Sequence, residues 1–285
     1  MLTRQIPSVR QIEIHSIQNL QEKLIDFVAL EEPLEIIVRQ GGTARKVLKT
    51  LSITMRTPGD DEALVLGFLF SEGIITNLQD VAQIQFRSQA HGDETFQQTA
   101  VVDMHLDFKF DFESLDRHFY TTSSCGVCGK TAIDLAVSNC SFVLKKNLPK
   151  VSIETILKLP AELRKHQNLF DKTGGNHACG LFDSKGLLLH YAEDVGRHNA
   201  MDKLIGKVLK DKMIPCDNHI VLVSGRASFE LIQKTLMIGI PIFVAIGAPS
   251  SLAVELAENF GLSLIGFLRE NKGNVYAGAG RIISS

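Results

Sequence analysis

The feature that most constrains this chain lies in its last third. The runs "HIVLVSG", "IPIFVAIG" and "SLIGFL" are short and continuously apolar, and stretches of helical periodicity separate them. A strand with one wet face alternates polar and apolar residues, whereas a continuous run means cover on both faces. The interposed segments "FELIQKTLMIG" and "SLAVELAENFG" are helices able to supply that cover. Residues 174–285 are therefore predicted to form a three-layer α/β/α domain. A hairpin turning at Ser-Lys-Gly, "HACGLFDSKGLLLHYAED", and an amphipathic helix, "RHNAMDKLIGKVLKD", open this domain, and "SLIGFL" is read as its final strand.

The first third has a different texture. In "KTLSITM", Leu51, Ile53 and Met55 alternate with smaller or polar residues, the period of a half-buried strand. "RTPGDD" breaks the chain, Asp60 or Asp61 is placed to cap a helix through "EALVLGFLFSEG", and Gly73 is placed to stop it. "VAQIQFRS" and "VVDMHLDFKFDF" read as hairpin strands around the polar tip "QAHGDETFQQ". The second strand carries Val102, Met104, Leu106, Phe108, Phe110 and Phe112 on one face and Asp103, His105, Asp107, Lys109 and Asp111 on the other. Residues 1–120 are expected to form a smaller α+β domain, with residues 121–173 joining it to the last. In that connection "TTSSCGVCGKTAIDLAVSN" begins as loop and turns helical near Lys130, and "VSIETILKLPAELRKHQNLF" reads as two short helices split at Pro160.

A length of 285 residues with 45% hydrophobic and 22% charged residues suits two domains and a sizeable core. The net charge of −2 gives no long-range attraction to nucleic acid or an anionic membrane, so any bound anion must be held by a local site. The opening "MLTRQIPSVRQIEIHSIQ" lacks the apolar core of a signal peptide. The longest apolar stretch, "LMIGIPIFVAIGAP", is too short and too broken for a membrane span. Five cysteines, at 125, 128, 140, 179 and 216, do not make a disulfide framework. A reducing cytoplasm is the expected setting, and there a close thiol pair is metal-binding or catalytic.

That pair stands in "SSCGVCGK". Cys125 and Cys128 precede a predicted helix start at Lys130, so a helix N-terminus and a cation both favour the thiolate. Gly126 and Gly129 remove bulk, which suits a loop whose sulfur must reach into another protein. Three chemistries compete. A zinc site would need a second half, for which His177 with Cys179 is the one candidate. A thioredoxin-like redox pair would need a strand ahead of it, where the chain has "SLDRHFYTT". The third is a nucleophilic thiol that carries cargo.

Elsewhere, "EDVGRHNAMDK" gathers Glu193, Asp194, Arg197, His198, Asn199 and Asp202 near one helix start, a pattern that equally suits a capping Asp194 and a solvated face. "IVLVSGRASFE" ends a buried strand in Ser224, Gly225 and Arg226, with a helix from Ser228. Backbone N–H groups beside a guanidinium make an anion site. "AIGAPSSLAVE" repeats that geometry with Gly247, Ser250 and Ser251, and "GFLRENKGNVY" places Arg269 and Lys272 after a third strand. Three strand ends on one sheet edge predict a nucleotide crevice.

The blocks "RTPGDDEALVLGFLFSEGII", "SSCGVCGK", "TGGNHACGLF", "EDVGRHNAMDK", "VSGRASFELIQKTLMIGIP" and "APSSLAVELAENFGLSLIGFLR" resemble, in order, the signature blocks of the formate dehydrogenase accessory (sulfur-carrier) protein family. The resemblance runs from about Glu32 onward. It implies a sulfurtransferase-type carrier that takes sulfur as a persulfide from a cysteine desulfurase. The sulfur goes to the molybdenum (or tungsten) bis-molybdopterin guanine dinucleotide cofactor that formate dehydrogenase requires. It implies the persulfide on Cys125 with Cys128 as partner, and a cofactor-binding stretch at Phe267, Leu268, Arg269, Glu270, Asn271 and Lys272. Ser224, Gly225, Arg226, Arg197 and His198 complete the expected cofactor site, and guanine nucleotides are expected to mimic the cofactor.

The resemblance also implies a cytidine-deaminase-like fold for the last domain and, by analogy, a homodimer. A zinc deaminase would have its ligands where this chain holds "RHN" and "SGRAS", so deamination and a resident metal are not expected. Cys179, Ala192 and Gly247 depart from the alanine, arginine and serine usual in the family, and Ala192 is read as a lost contact to phosphate. The competing function is a zinc-binding or thiol-redox accessory module that binds a guanine nucleotide cofactor without carrying sulfur.

Overall fold

The computed structural model describes residues 8–41, 47–91, 95–108, 140 and 142–284. Two strands absent from the expectations above, β1 (Val9–Ser16) and β2 (Asn19–Ala29), pair as an antiparallel hairpin near the N-terminus. Next, β3 (Glu32–Gln40), β4 (Val47–Arg56), β5 (Val81–His91) and β6 (Thr95–Met104) form a sheet in the order β4-β3-β6-β5. Leu34, Ile36 and Val38 alternate along β3 into one core with Ala100 and Val102 of β6 and with Leu64 and Leu69 of α1 (Asp61–Ser71).

α1 is apolar almost all round because its other side packs along α4 (Arg197–Lys210). Glycine makes that approach possible. A Cβ at Gly67 would lie 1.8 Å from the Asp202 carbonyl oxygen, and one at Gly206 would lie 1.9 Å from that of Ala63. The backbones themselves are in contact, and one continuous core includes residues of both sheets.

The larger sheet has the order β13-β12-β11-β10-β8-β9. β8 (His177–Asp183) and β9 (Leu188–Asp194) are the expected hairpin, its turn fixed by Asp183 Oδ1, which accepts from the N–H groups of Lys185 and Leu187 at 2.9 Å each. β10 (His219–Val223), β11 (Ile242–Ala245) and β12 (Ser263–Arg269) run parallel, linked through α5 (Phe229–Met237) and α6 (Ser251–Asn259). Val221, Val223, Phe243 and Ala245 point into the core shared with α4, α5 and α6. Ile220, Leu222, Ile242 and Val244 pack instead with Ile156, Leu159 and Leu163 of α2 (Ile153–Arg164). Helices on both faces explain why these strands read as unbroken apolar runs. The chain is a mixed α/β protein with several sheets.

Several expectations require correction. Pro160 does not split a helix. α2 runs through it, held by Ile156, Leu159 and Leu163 on one buried stripe, and α3 (Asn168–Thr173) follows after a break at His166 and Gln167. "SLIGFL" is not the last strand, because β13 (Lys272–Ala277) turns back antiparallel to β12, and β14 (Ile282–Ile283) pairs with β7 (Val151–Ser152). Residues 105–108, which follow Met104, are not strand. The Phe108 N–H donates to the His105 carbonyl in a turn, and Phe110 and Phe112 lie outside the described residues. Asp60 occupies the N-cap position of α1 with φ of 55° but makes no capping bond, and its carboxylate pairs with Lys207 at 2.7 Å instead. Gly73 follows the helix at φ 71°, a left-handed stop that glycine adopts without strain. Among the described residues no helix is long and apolar enough to cross a membrane.

Candidate functional site

The three parallel strands end side by side, and their loops are laced together. The Gly247 N–H donates to the Gly225 carbonyl at 2.9 Å, that of Ala227 to Ala248 at 3.1 Å, and that of Phe267 to Gly247 at 3.0 Å. A Cβ at Gly247 would sit 2.9 Å from the Gly225 oxygen, which gives glycine at this position a local cause. Two helices begin beside these loops. α4 starts from Gly196 and α5 from Ser228, and neither N-cap side chain bonds into its first turn. At the start of α5 the Glu230 carboxylate takes its own backbone N–H, so it is the start of α4 that leaves N–H groups to favour an anion.

The side chains expected to use this edge divide into two sets. Ser224, Gly225, Arg197 and His198 come together: Gly225 packs against His177 and Arg197, the Ser224 hydroxyl lies 3.4 Å from His177 Nδ1, and Arg197 and His177 both act on His198, while Arg226 is exposed on the adjoining loop. Phe267, with φ of 53°, joins them through Gly247. Arg269, Glu270, Asn271 and Lys272 lie further out, on the exposed turn between β12 and β13. Leu268 points away, buried in the core shared with α2. Arg197, Arg226, Arg269 and Lys272 form no ion pair with a described residue, and Arg197 Nε is buried without a hydrogen-bond partner.

Electrostatics follow from that unpaired charge. Burial lowers the pKa of His177, the Arg197 guanidinium lowers it further, and Asp194 opposes both. His198 is pushed down to about 4, chiefly by burial and then by Arg197, against a counter-pull from Glu230. Burial alone would raise Glu230, but its own backbone N–H, Ser228, His198 and Arg197 together hold it below the usual carboxylate range. Both imidazoles are thus neutral near pH 7 beside a permanent cation.

Behind the crevice lies a network whose long-range pairing carries no local sequence signature. Asp194 is wholly buried. Its carboxylate pairs with Lys203 at 2.7 Å and accepts from the N–H groups of Thr57 and Gly196 and from Asn199 Nδ2. Asn176 donates to the Thr57 hydroxyl at 3.2 Å, so the turn ahead of α1 is tied to the start of β8. Asp194 is therefore neither a plain cap nor part of a solvated face. Ala192 and Cys179 face each other across β8 and β9 in the buried core, so position 192 does not border the crevice.

A cleft of about 480 Å³ opens next to Ser224 and His177, walled by α2, α3 and the ends of β10 and β11. Cys125 and Cys128 lie outside the described residues. Of the other thiols, burial pushes Cys140 up to about 11 and Cys216 up to about 12, with Asp217 adding to the latter; Cys179 is pushed higher still by burial, then by Asp202 and Asp194. None is a nucleophile at neutral pH. Among the described residues no group of three His, Cys, Asp or Glu side chains is placed to hold a metal ion.

The FdhD/NarQ family model matches residues 29–283. A sulfur carrier protein FdhD from Streptomyces coelicolor is 47% identical over 262 residues, covering 90% of this chain and 89% of the relative. One from Sulfurisphaera tokodaii is 42% identical over 277 residues, covering 96% and 99%. The crystal structure of a formate dehydrogenase accessory protein from Desulfotalea psychrophila superposes with a TM-score of 0.69 at 25% identity, covering 96% of this chain and 98% of that one. With a match along nearly its whole length, the chain belongs to the FdhD/NarQ family.

Proposed function

We propose that the protein is a sulfur carrier serving formate dehydrogenase, as the names of its relatives indicate. The Cys125 thiolate attacks the outer sulfur of a persulfide on a cysteine desulfurase. The desulfurase thiolate leaves, and Cys125 holds the sulfane sulfur. Delivery goes to the metal of a molybdenum or tungsten bis-molybdopterin guanine dinucleotide, which is the substrate here. Cys128 attacks the inner sulfur of the Cys125 persulfide, a disulfide forms, and sulfide is expelled toward the metal. A cellular thiol then reduces the disulfide, which suits a cytoplasmic setting.

The observation that carries this reading is Arg197 at the start of α4, its buried Nε without a partner, on the sheet edge where the three parallel strands end. A diphosphate fits that donor set. The chain enters the cysteine block from Phe108, whose carbonyl accepts from Gln40 Nε2 at 2.7 Å, and leaves it toward Phe142, beside Gly239 ahead of β11. Those anchors lie at the ends of β3 and β11 away from the crevice. Cys125 stands fifteen positions before Cys140, a span of about 30 Å for a chain extended to Lys130 and helical after it, against about 17 Å for a strand the length of β10. Reach is therefore no obstacle to delivery. The large sheet with helices on both faces is read as deaminase-like, and two copies are expected to pair.

Desulfurase and cysteine should add sulfur, removable by reductant, to the wild-type protein, as read by intact mass. Cys125→Ala should not load, while a protein lacking Cys140, Cys179 and Cys216 should. Equal loading of Cys125→Ala overturns the carrier assignment. Stoichiometric zinc bound through Cys125 and Cys128 would favour the accessory module that carries no sulfur.

A further inference from the structure

On the turn ahead of α1, one wholly buried residue has each of its polar atoms claimed by the larger sheet and its helix α4. Thr57 donates its N–H to Asp194 Oδ2 at 3.1 Å, and its carbonyl accepts from Lys203 Nζ at 2.8 Å. Its hydroxyl oxygen accepts twice, from the Val195 N–H at 3.1 Å and from Asn176 Nδ2 at 3.2 Å. The end of β4 grips the first turn of α4 beside it. There the Thr54 hydroxyl donates to Asn199 Oδ1 at 3.0 Å, and Asn199 Nδ2 donates to the Met55 carbonyl at 2.8 Å.

The two donors to that hydroxyl belong to the segments that carry the site. Asn176 immediately precedes His177, and Val195 lies two positions before Arg197. Gly225 sits between those two side chains, where an ideal Cβ falls 3.5 Å from His177 Nδ1 and 3.8 Å from Arg197 Cδ. Joining the two sheets does not require the Thr57 oxygen, because α1 and α4 already touch backbone to backbone at Gly67 and Gly206. A buried hydroxyl that accepts two bonds fixes the direction of both donors. We propose that Thr57 is a positioning residue, whose hydroxyl holds the segment leading to Arg197 in register with the segment leading to His177. The crevice on the large sheet is thereby completed by a residue from the connection to the small one. Its effect on anion affinity rests on the sulfur-carrier reading; the bridge itself does not.

Calorimetric binding of pyrophosphate to the full chain, with NMR titration of the His177 ring, tests the placement. Thr57→Val keeps the shape and removes the acceptor, so the Val195 N–H and the Asn176 amide lose this partner. Pyrophosphate affinity should fall about tenfold. The ligand-free His177 ring should also titrate higher than in the wild type, because burial still holds it down but a displaced Arg197 pushes less. Thr57→Ser keeps the hydroxyl and should restore the titration, with affinity within about twofold of the wild type. Val38→Ala, a core cavity at the far end of β3 from Arg56, should lower the melting temperature and leave both readouts unchanged. Asn176→Ala cuts the same bridge from its other end and serves if Thr57→Val does not fold; both readouts should move in the same directions. A His177 titration unmoved in the folded variant, or moved equally by Val38→Ala, overturns the proposal. A wild type that binds no pyrophosphate, with His177 still responding to loss of the Thr57 hydroxyl, upholds the positioning and overturns the anion crevice instead.

Discussion

α4 belongs to two regions that treat charge in opposite ways. Along its seam with α1, buried charges are saturated: Lys234 reaches Asp202 at 2.7 Å, Lys203 reaches Asp194 at 2.7 Å, and fully buried Arg56 pairs with Asp61 and Glu32 on the adjoining turn and strand. At its N-terminus, Arg197 keeps a buried nitrogen with no partner, and Glu230, whose pKa it lowers, forms no ion pair with it. Desolvating a charge is tolerable when a partner and hydrogen bonds compensate it, and costly otherwise. The saturated region holds the fold together. The unsaturated one leaves a buried guanidinium nitrogen unclaimed. The same helix therefore separates structure from site by whether its polar groups are satisfied, more than by which residues it carries.

Removing one partner on the saturated side should have the largest effect. Lys203→Met leaves Asp194 buried without its cation and should cost about 3–5 kcal/mol in chemical denaturation. A loss under about 1 kcal/mol would show that the network is slack and that the contrast fails. Gly206→Ala comes next, because its methyl group would overlap the Ala63 carbonyl and force the two helices apart, at about 1–3 kcal/mol. Arg226→Ala, on the unsaturated side, should change ligand-free stability by no more than about 0.5 kcal/mol. It should nonetheless blunt the rise in melting temperature that guanosine diphosphate gives the wild type. No rise in either protein would remove the crevice.

Much of the α/β architecture was legible because its signals are local. The continuous apolar runs of β10, β11 and β12 announce cover on both faces, and Asp183 with Gly186 announces a turn. β13 was not legible. "KGNVYA" is exposed over most of its length and carries too few apolar residues to show a period. Pro160 misled because a local cost was offset by a buried stripe that only the tertiary structure supplies. At the site, Ser224, Arg226, Arg197 and His198 were legible from strand-to-helix junctions. Thr57 was not, since Asn176 and Lys203 reach it across 119 and 146 positions.

The smallest effect gives the finest probe of the contrast. His198 sits between the two regimes, its side chain 39% exposed, its Nε2 3.4 Å from Ser228 Oγ and 3.9 Å from Glu230. Burial and then Arg197 push its pKa down to about 4, against about 6.5 for an unperturbed imidazole. The folded state thus prefers the neutral ring. Its contribution is complete above about pH 6.5 and is lost as pH falls toward 4. His198→Asn should therefore flatten part of the acid limb of the melting-temperature profile over that interval. An anion bound beside Arg197 cancels the second cause and leaves the first. Pyrophosphate should consequently raise the His198 pKa, seen by NMR titration of the ring, without restoring it fully to the unperturbed value. If pyrophosphate binds and the His198 titration does not move, the anion lies elsewhere, and the unpaired charge at the start of α4 is a feature of the fold alone.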